Sequence, residues 1–241
     1  MMWEHLKQEQ KDKYKTLITN FASLSEAFSQ KAEGEDSDDR ESYVAPIVNS
    51  KFQETVFQKA FHAVGEDIAN TSYDASVVVD EQHKYLVGIK SFGLDSGDQK
   101  IAQFKKDSQS WNELLSEIRF QADISPDKET ADKENRARYE KLAREIATLR
   151  NQRIESSKAL IKGFHSDASH VEAVYHVLMP TSKGHKPQIH VGETTYLPVD
   201  LDNLKILGST TKNNPTNFRF TDGHHDYKYT AADSQLHMTF R

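Results

Sequence analysis

Asp74 and Lys90 stand on two apolar runs separated by a short polar stretch. The runs are Ser72-Tyr73-Asp74-Ala75-Ser76-Val77-Val78-Val79 and Lys84-Tyr85-Leu86-Val87-Gly88-Ile89-Lys90-Ser91-Phe92. Val, Ile, Tyr and Phe dominate both, and Asp80-Glu81-Gln82-His83 between them has the composition of a hairpin turn. Side chains alternate along a strand, so Asp74, Ser76 and Val78 share a face, as do Gly88 and Lys90. An odd number of turn residues puts both sets on one side of the sheet. A carboxylate and an ammonium held there can bind a divalent metal and a phosphate together, which is the minimum needed for metal-assisted phosphodiester hydrolysis.

These elements must be positioned by their neighbours. Phe52, Val56, Phe57, Ala60, Phe61, Val64 and Ile68 recur at helical spacing, predicting a helix over residues 51–69. At about 100° per residue, Glu54 projects to the border of that apolar stripe, where a carboxylate emerges near the strand ends. Asp67 projects into the stripe and Glu66 away from it.

The combination resembles the PD-(D/E)XK nucleases, the superfamily of most Type II restriction endonucleases. The likeness covers residues 50–105, with Asp74 as the Asp, Gly88-Ile89-Lys90 as the acid-x-Lys triplet and Glu54 as the helix Glu. Tyr73 replaces the usual Pro, and Gly88 replaces the acid, which removes one metal ligand. The resemblance implies Asp74, Lys90 and Glu54 as catalytic residues. It also implies Asp74, Glu54 and the Ile89 carbonyl as ligands of Mg²⁺, with Mn²⁺ as the alternative, since hard oxygens suit those ions. Lys90 would contact the attacking water or the scissile phosphate as a fixed cation. The ordinary alternative is an Asp74–Lys90 ion pair at a sheet edge.

Ser96-Gly97-Asp98-Gln99 has the form of a capping box and predicts a helix through Ile101 and Phe104, with Lys100, Lys105 and Lys106 on it. Its N-terminus would suit a phosphate. Residues 3–32 read as an amphipathic helix. Residues 108–163 read as a helical hairpin broken near Ser125-Pro126, with Ser125 as cap and Pro126 at the first helical position. Leu142, Ile146, Leu149, Ile154, Leu160 and Ile161 give its second arm a thin apolar seam, suited either to its own domain or to a partner helix.

Residues from 170 onward change to strand and turn patterns: Val171 to Met179, Gln188 to Val191, Thr195 to Pro198, Leu204 to Gly208, Phe218 to Phe220 and Tyr227 to Tyr229. Loops between them carry amides, imidazoles and cations. Lys183, Lys186, Arg219, Asn213, His224 and Lys228, together with Lys100, are the expected DNA-contacting residues, Arg219 first because a guanidinium grips guanine with two bonds. His185, His190, His224, His225 and His237 have no zinc-ligand spacing, and Asp222 to Asp226 with His237 is only a faint HNH-like pattern.

The 241 residues carry no cysteine, so disulfides and Cys-based zinc sites are excluded. A net charge of −6 weighs mildly against a nucleic-acid partner, but residues 33–39 hold much of the acidity and a cleft needs only local positive charge. No apolar run reaches membrane-spanning length, and no signal-peptide pattern opens the chain, so a cytoplasmic, prokaryotic setting without membrane association is expected.

The fold expected is mixed α/β: a single domain of residues 1–241 with a restriction-endonuclease-like core sheet flanked by helices. Its zones are an N-terminal helix and acidic loop (1–42), a catalytic core (43–107), a helical hairpin insertion (108–165) and a β-rich recognition region (166–241). The function expected is a Mg²⁺-dependent, sequence-specific endonuclease acting on double-stranded DNA. By the family's habit it would be a homodimer accompanied by a cognate DNA methyltransferase. The alternatives are a related nuclease of repair, mobile-element or phage-defence type, and a DNA-binding protein with a decayed site.

Overall fold

The computed structural model describes residues 1–28, 50–65, 72–161, 171–181 and 188–240, with no side chains described for 21–28 and 50. It is a mixed α/β protein whose described residues form two five-stranded sheets, and it divides into two compact units. One comprises residues 1–96 and 154–197, the other 97–153 and 198–241, so the boundaries differ from those of the four expected zones.

In the first unit, helices α1 (Met2–His5), α2 (Gln8–Phe28) and α3 (Ser50–Phe61) accompany a sheet of β1 (Val64–Gly65), β2 (Ala75–Val78), β3 (Lys84–Ser91), β5 (Val171–Pro180) and β6 (Ile189–Thr195), in the order β1-β2-β3-β5-β6. Only β3 and β5 run parallel, from Lys84↔Val171 to Ser91↔Leu178. Strand β3 is the central strand and is buried from Tyr85 to Ile89, which accounts for its almost continuous apolar run. Alternation sends Tyr85, Val87 and Ile89 to one face, where they join Ala75, Val77, Val174 and Leu178 against Tyr14, Ile18, Phe57, Ala60 and Phe61.

The hairpin turn forms as its residues predict. The Asp80 carboxylate accepts the N–H groups of Gln82 and His83, both at 2.8 Å, closing an Asx turn. Five residues, 79–83, separate β2 from β3, and the register pairs Ser76 with Leu86.

The second unit carries β4 (Asp98–Gln103), β7 (Lys205–Thr211), β8 (Asn214–Thr221), β9 (Asp226–Thr230) and β10 (Gln235–Thr239), in the order β4-β10-β9-β8-β7, every neighbouring pair antiparallel. Phe218, Phe220, Tyr227, Tyr229, Leu236 and Met238 are its buried face. Helix α4 (Asn112–Ile124) belongs to this unit, as do residues 128–153 of the long helix α5 (Lys128–Leu160). Tyr139 of α5 stacks on Phe218 at 5.0 Å, and Asn135 ties α5 to the Ile118 carbonyl of α4 at 3.0 Å.

Several expectations are corrected. The capping-box segment is not a helix: Asp98–Gln103 is an edge strand paired with β10, because ladder bonding to Gln235–Thr239 outweighs the local helix signal. With no helix there, the expected phosphate-binding helix N-terminus is also absent. The hairpin of α4 and α5 forms, but Asp127 caps its second arm, accepting the Thr130 N–H at 2.8 Å. Ser125 instead donates to the Gln121 carbonyl, and Pro126 stands before the cap. In the apolar seam, Leu142, Ile146, Ile154 and Ile161 are buried within the chain, while Leu160 stays 63% exposed. Among the described residues no helix is long and apolar enough to cross a membrane.

Candidate active site

Asp74 stands immediately before β2, and the Ala75↔Val87 register brings it opposite Gly88. Residues opposite one another in an antiparallel pair share a face, so Asp74, Gly88 and Lys90 lie on the same side of the sheet, away from α3. The Asp74 N–H donates to the Val87 carbonyl at 2.9 Å. One Asp74 carboxylate oxygen accepts the Ile89 N–H at 2.6 Å, serving a β3 donor just where the β2 ladder ends. Two short bonds therefore fix both the backbone and the side chain of Asp74. Lys90 is half-buried, and its ammonium forms no ion pair with Asp74 or any other described residue. The sheet-edge ion pair is not what holds these two residues.

Gly88 has a packing cause. A Cβ built there would fall 2.8 Å from the Tyr196 ring and 2.9 Å from the Tyr175 ring. Those rings stack on each other at 3.9 Å with planes 12° apart, and Tyr73 closes on Tyr196 at 5.1 Å. Tyr196 is tethered in turn, its hydroxyl donating to the Ser72 carbonyl at 2.9 Å. An acid at this position would need both rings to move.

Helix α3 packs on the opposite face of the sheet from Asp74 and Lys90, and its first turn brings Glu54 to the same end of that sheet. Gln53 is fully buried and donates from Nε2 to the Lys90 carbonyl at 3.1 Å, so the first turn of α3 is pinned at the level of Lys90. Glu54 is the next residue and pairs with Lys51 at 3.0 Å, its side chain 17% exposed, consistent with a carboxylate at the rim of the buried stripe. Glu66 and Asp67 lie outside the described residues.

Among the described residues no three His, Cys, Asp or Glu side chains gather into a metal-binding group. The donors expected here are two carboxylates, Asp74 and Glu54, with the Ile89 carbonyl. All are hard oxygens, and the Gln53 anchor holds the Glu54 turn beside the strand that carries Ile89. The set fits one Mg²⁺ or Mn²⁺ in chemical kind, with water completing the shell.

Sequence reasoning missed a buried polar chain beside this site. His176 Nε2 lies 3.0 Å from the Tyr14 hydroxyl, His176 Nδ1 lies 3.5 Å from Glu193, and Glu193 accepts the Trp3 N–H at 2.9 Å. Burial drives the Tyr14 hydroxyl well above the usual phenol range, against a smaller opposing effect of Gln53. The signal was available in part: Gln53 occupies the helical stripe of Phe57 and Ala60, where a polar residue needs a buried partner.

The expected DNA-contacting residues separate. Lys183 and Lys186 lie outside the described residues. Lys100, Arg219 and Lys228 share one face of the second sheet, where Arg219 and Lys228 both bond to Asp98. Asn213 sits exposed in the β7–β8 turn and His224 exposed in the β8–β9 turn, at opposite ends of β8. The HNH-like segment is a turn whose Asp222 carboxylate accepts the N–H groups of His224 and His225 at 3.0 and 2.8 Å.

Comparison of the chain with protein-family models, with curated proteins and with solved structures finds no match.

Proposed function

We propose that this protein is a Mg²⁺-dependent endodeoxyribonuclease of the PD-(D/E)XK kind, with a restriction-endonuclease-like core formed by α3 and the β2–β3 hairpin. One observation carries the reading. Asp74, fixed by the Ile89 N–H, shares a sheet face with Lys90, which forms no ion pair among the described residues, while Gln53 anchors the Glu54 turn to the Lys90 carbonyl. Asp74, Glu54 and the Ile89 carbonyl would hold the ion, which lowers the pKa of bound water and polarises the phosphate. Lys90 supplies a fixed positive charge to the scissile phosphate, and among the described residues no carboxylate pairs with it. Asp74 is oriented in advance by its backbone bond, so little reorganisation accompanies substrate binding. Double-stranded DNA is the substrate, a homodimer the working form, and a cytoplasmic restriction system with a cognate methyltransferase the setting.

A second reading has its own support. The Tyr175–Tyr196 stack fills the space an acid at position 88 would need, which favours a DNA-binding protein descended from a nuclease. Incubating the purified protein with plasmid DNA and Mg²⁺ separates the two. Discrete fragments support a specific nuclease and a smear supports a non-specific one. DNA left intact but bound favours the second reading. Loss of cleavage in Asp74→Asn and Lys90→Ala assigns the activity to this hairpin, and retention in either removes the assignment.

A further inference from the structure

The face of the second sheet opposite its aromatic core carries a lateral row of basic side chains. His237 is in register with both Lys100 and Lys228, and Lys228 with Arg219, so β4, β10, β9 and β8 each contribute one member. Like charges directly opposite one another destabilise a sheet unless something compensates them. Asp98 compensates two: it accepts from Arg219 through both of its oxygens, from Lys228 at 3.0 Å and from Thr239 at 2.8 Å. Lys100 is exposed and forms no ion pair among the described residues. Asp226 shares the face at the start of β9, and Lys205, opposite Thr221, adds a further cation at the β7 end.

The row thus holds more positive than negative charge, in a chain whose net charge is −6. It remains accessible: the Arg219 side chain is 37% exposed and that of Lys228 24%. Burial pushes the Asp98 carboxyl up, but the bonds from Arg219, Lys228 and Thr239 outweigh it and hold the group at about 2. Burial, then Lys228, push the His237 imidazole below its usual value. Hydroxyl and amide side chains on the same face, Thr230, Thr239 and Gln235, are suited to phosphate oxygens.

We propose that this row, Lys100, His237, Lys228 and Arg219, is a track for the phosphate backbone of duplex DNA, and that Asp98 restrains it by occupying Arg219 and Lys228. The assignment rests on the DNA-binding part of the function proposed above and not on cleavage. Phosphate and Asp98 compete for the same two cations, so removing the Asp98 charge strengthens binding instead of weakening it. An ordinary salt-bridge cluster predicts no such gain.

The test is anisotropy of a labelled short duplex in EDTA, between roughly 50 and 200 mM salt, with melting curves in parallel. Asp98→Asn should bind severalfold more tightly, with a salt slope steeper by about 0.9, the value for one more neutralised phosphate. Lys100→Glu should bind more weakly, with a slope shallower by about 0.9. Unchanged or weaker binding by folded Asp98→Asn overturns the restraint. If that variant does not fold, Lys100→Glu decides, because its side chain is exposed and forms no ion pair among the described residues, and unchanged affinity there overturns the track. No binding of duplex by the parent protein, or a preference for RNA or anionic vesicles, also overturns it. Binding that follows this pattern without Mg²⁺-dependent cleavage removes only the nuclease reading.

Discussion

Replacing Asp74 tests two roles at once, because its carboxylate both faces the candidate metal site and caps a strand. The Ile89 N–H that it accepts at 2.6 Å belongs to a residue only 7% exposed, so water has little access to replace the bond. Leaving a buried donor unsatisfied costs about 1–3 kcal/mol. For a protein of this size each kcal/mol moves the melting midpoint by roughly 2–4 °C, so Asp74→Ala should melt about 2–12 °C lower. Asp74→Asn keeps an acceptor and loses mainly the charge, a difference of about 1 kcal/mol, or roughly 2–4 °C. Both should abolish cleavage if Asp74 holds the metal. Differential scanning calorimetry of both variants, alongside plasmid cleavage, reads the two roles separately. An alanine variant that melts with the parent refutes the capping bond, and an asparagine variant that cleaves normally refutes the catalytic role.

Gly88→Glu should not raise activity above the parent's, because its Cβ alone meets both tyrosine rings; overpacking of about 1–3 kcal/mol should lower its midpoint, and an undiminished midpoint would disprove the aromatic wall. Glu54→Gln should raise the Mg²⁺ concentration needed for cleavage, or abolish cleavage, while melting close to the parent, since its Lys51 partner is largely exposed; a normal Mg²⁺ titration would move the second carboxylate elsewhere. The Asp98 carboxyl is held at about 2, below its unfolded value of 3.8. Its contribution to stability is therefore complete above pH 3.8 and is lost as pH falls through about 2. Acid melting curves of Asp98→Asn should be flatter than the parent's in that window, and equal slopes would contradict the cluster.

What could be read from the chain was what nearest neighbours determine. Asp80 has the side chain to close a turn on Gln82 and His83, and alternation on either side places Asp74 and Lys90 on one face. The stripe of α3 as far as Phe61, the helical hairpin and the strands around Phe218 and Tyr227 were legible for the same reason: their periodicity is local; the helix expected over 51–69 instead ends at Phe61, because Val64–Gly65 pairs with β2. Where two local signals competed, the sequence could not choose. Ser96 to Gln99 spells a capping box, yet Asp98–Gln103 is a strand because Gln235–Thr239 supplies a hydrogen-bonding partner from far along the chain.

The character of the candidate site lay wholly in such distant contacts. That Gly88 admits no side chain depends on Tyr175 and Tyr196, which reach it only once β5 lies parallel to β3. That the first turn of α3, which carries Glu54, lies at the level of the Lys90 carbonyl depends on Gln53 finding that one acceptor. That Arg219 and Lys228 meet Asp98 depends on the pairing of four strands. Residue type and spacing specify which groups a segment presents, because alternation and turn chemistry act over a few bonds. Which groups then meet, and whether a charge is paired or left available, is set by packing between segments remote in sequence, and only the tertiary structure decides it.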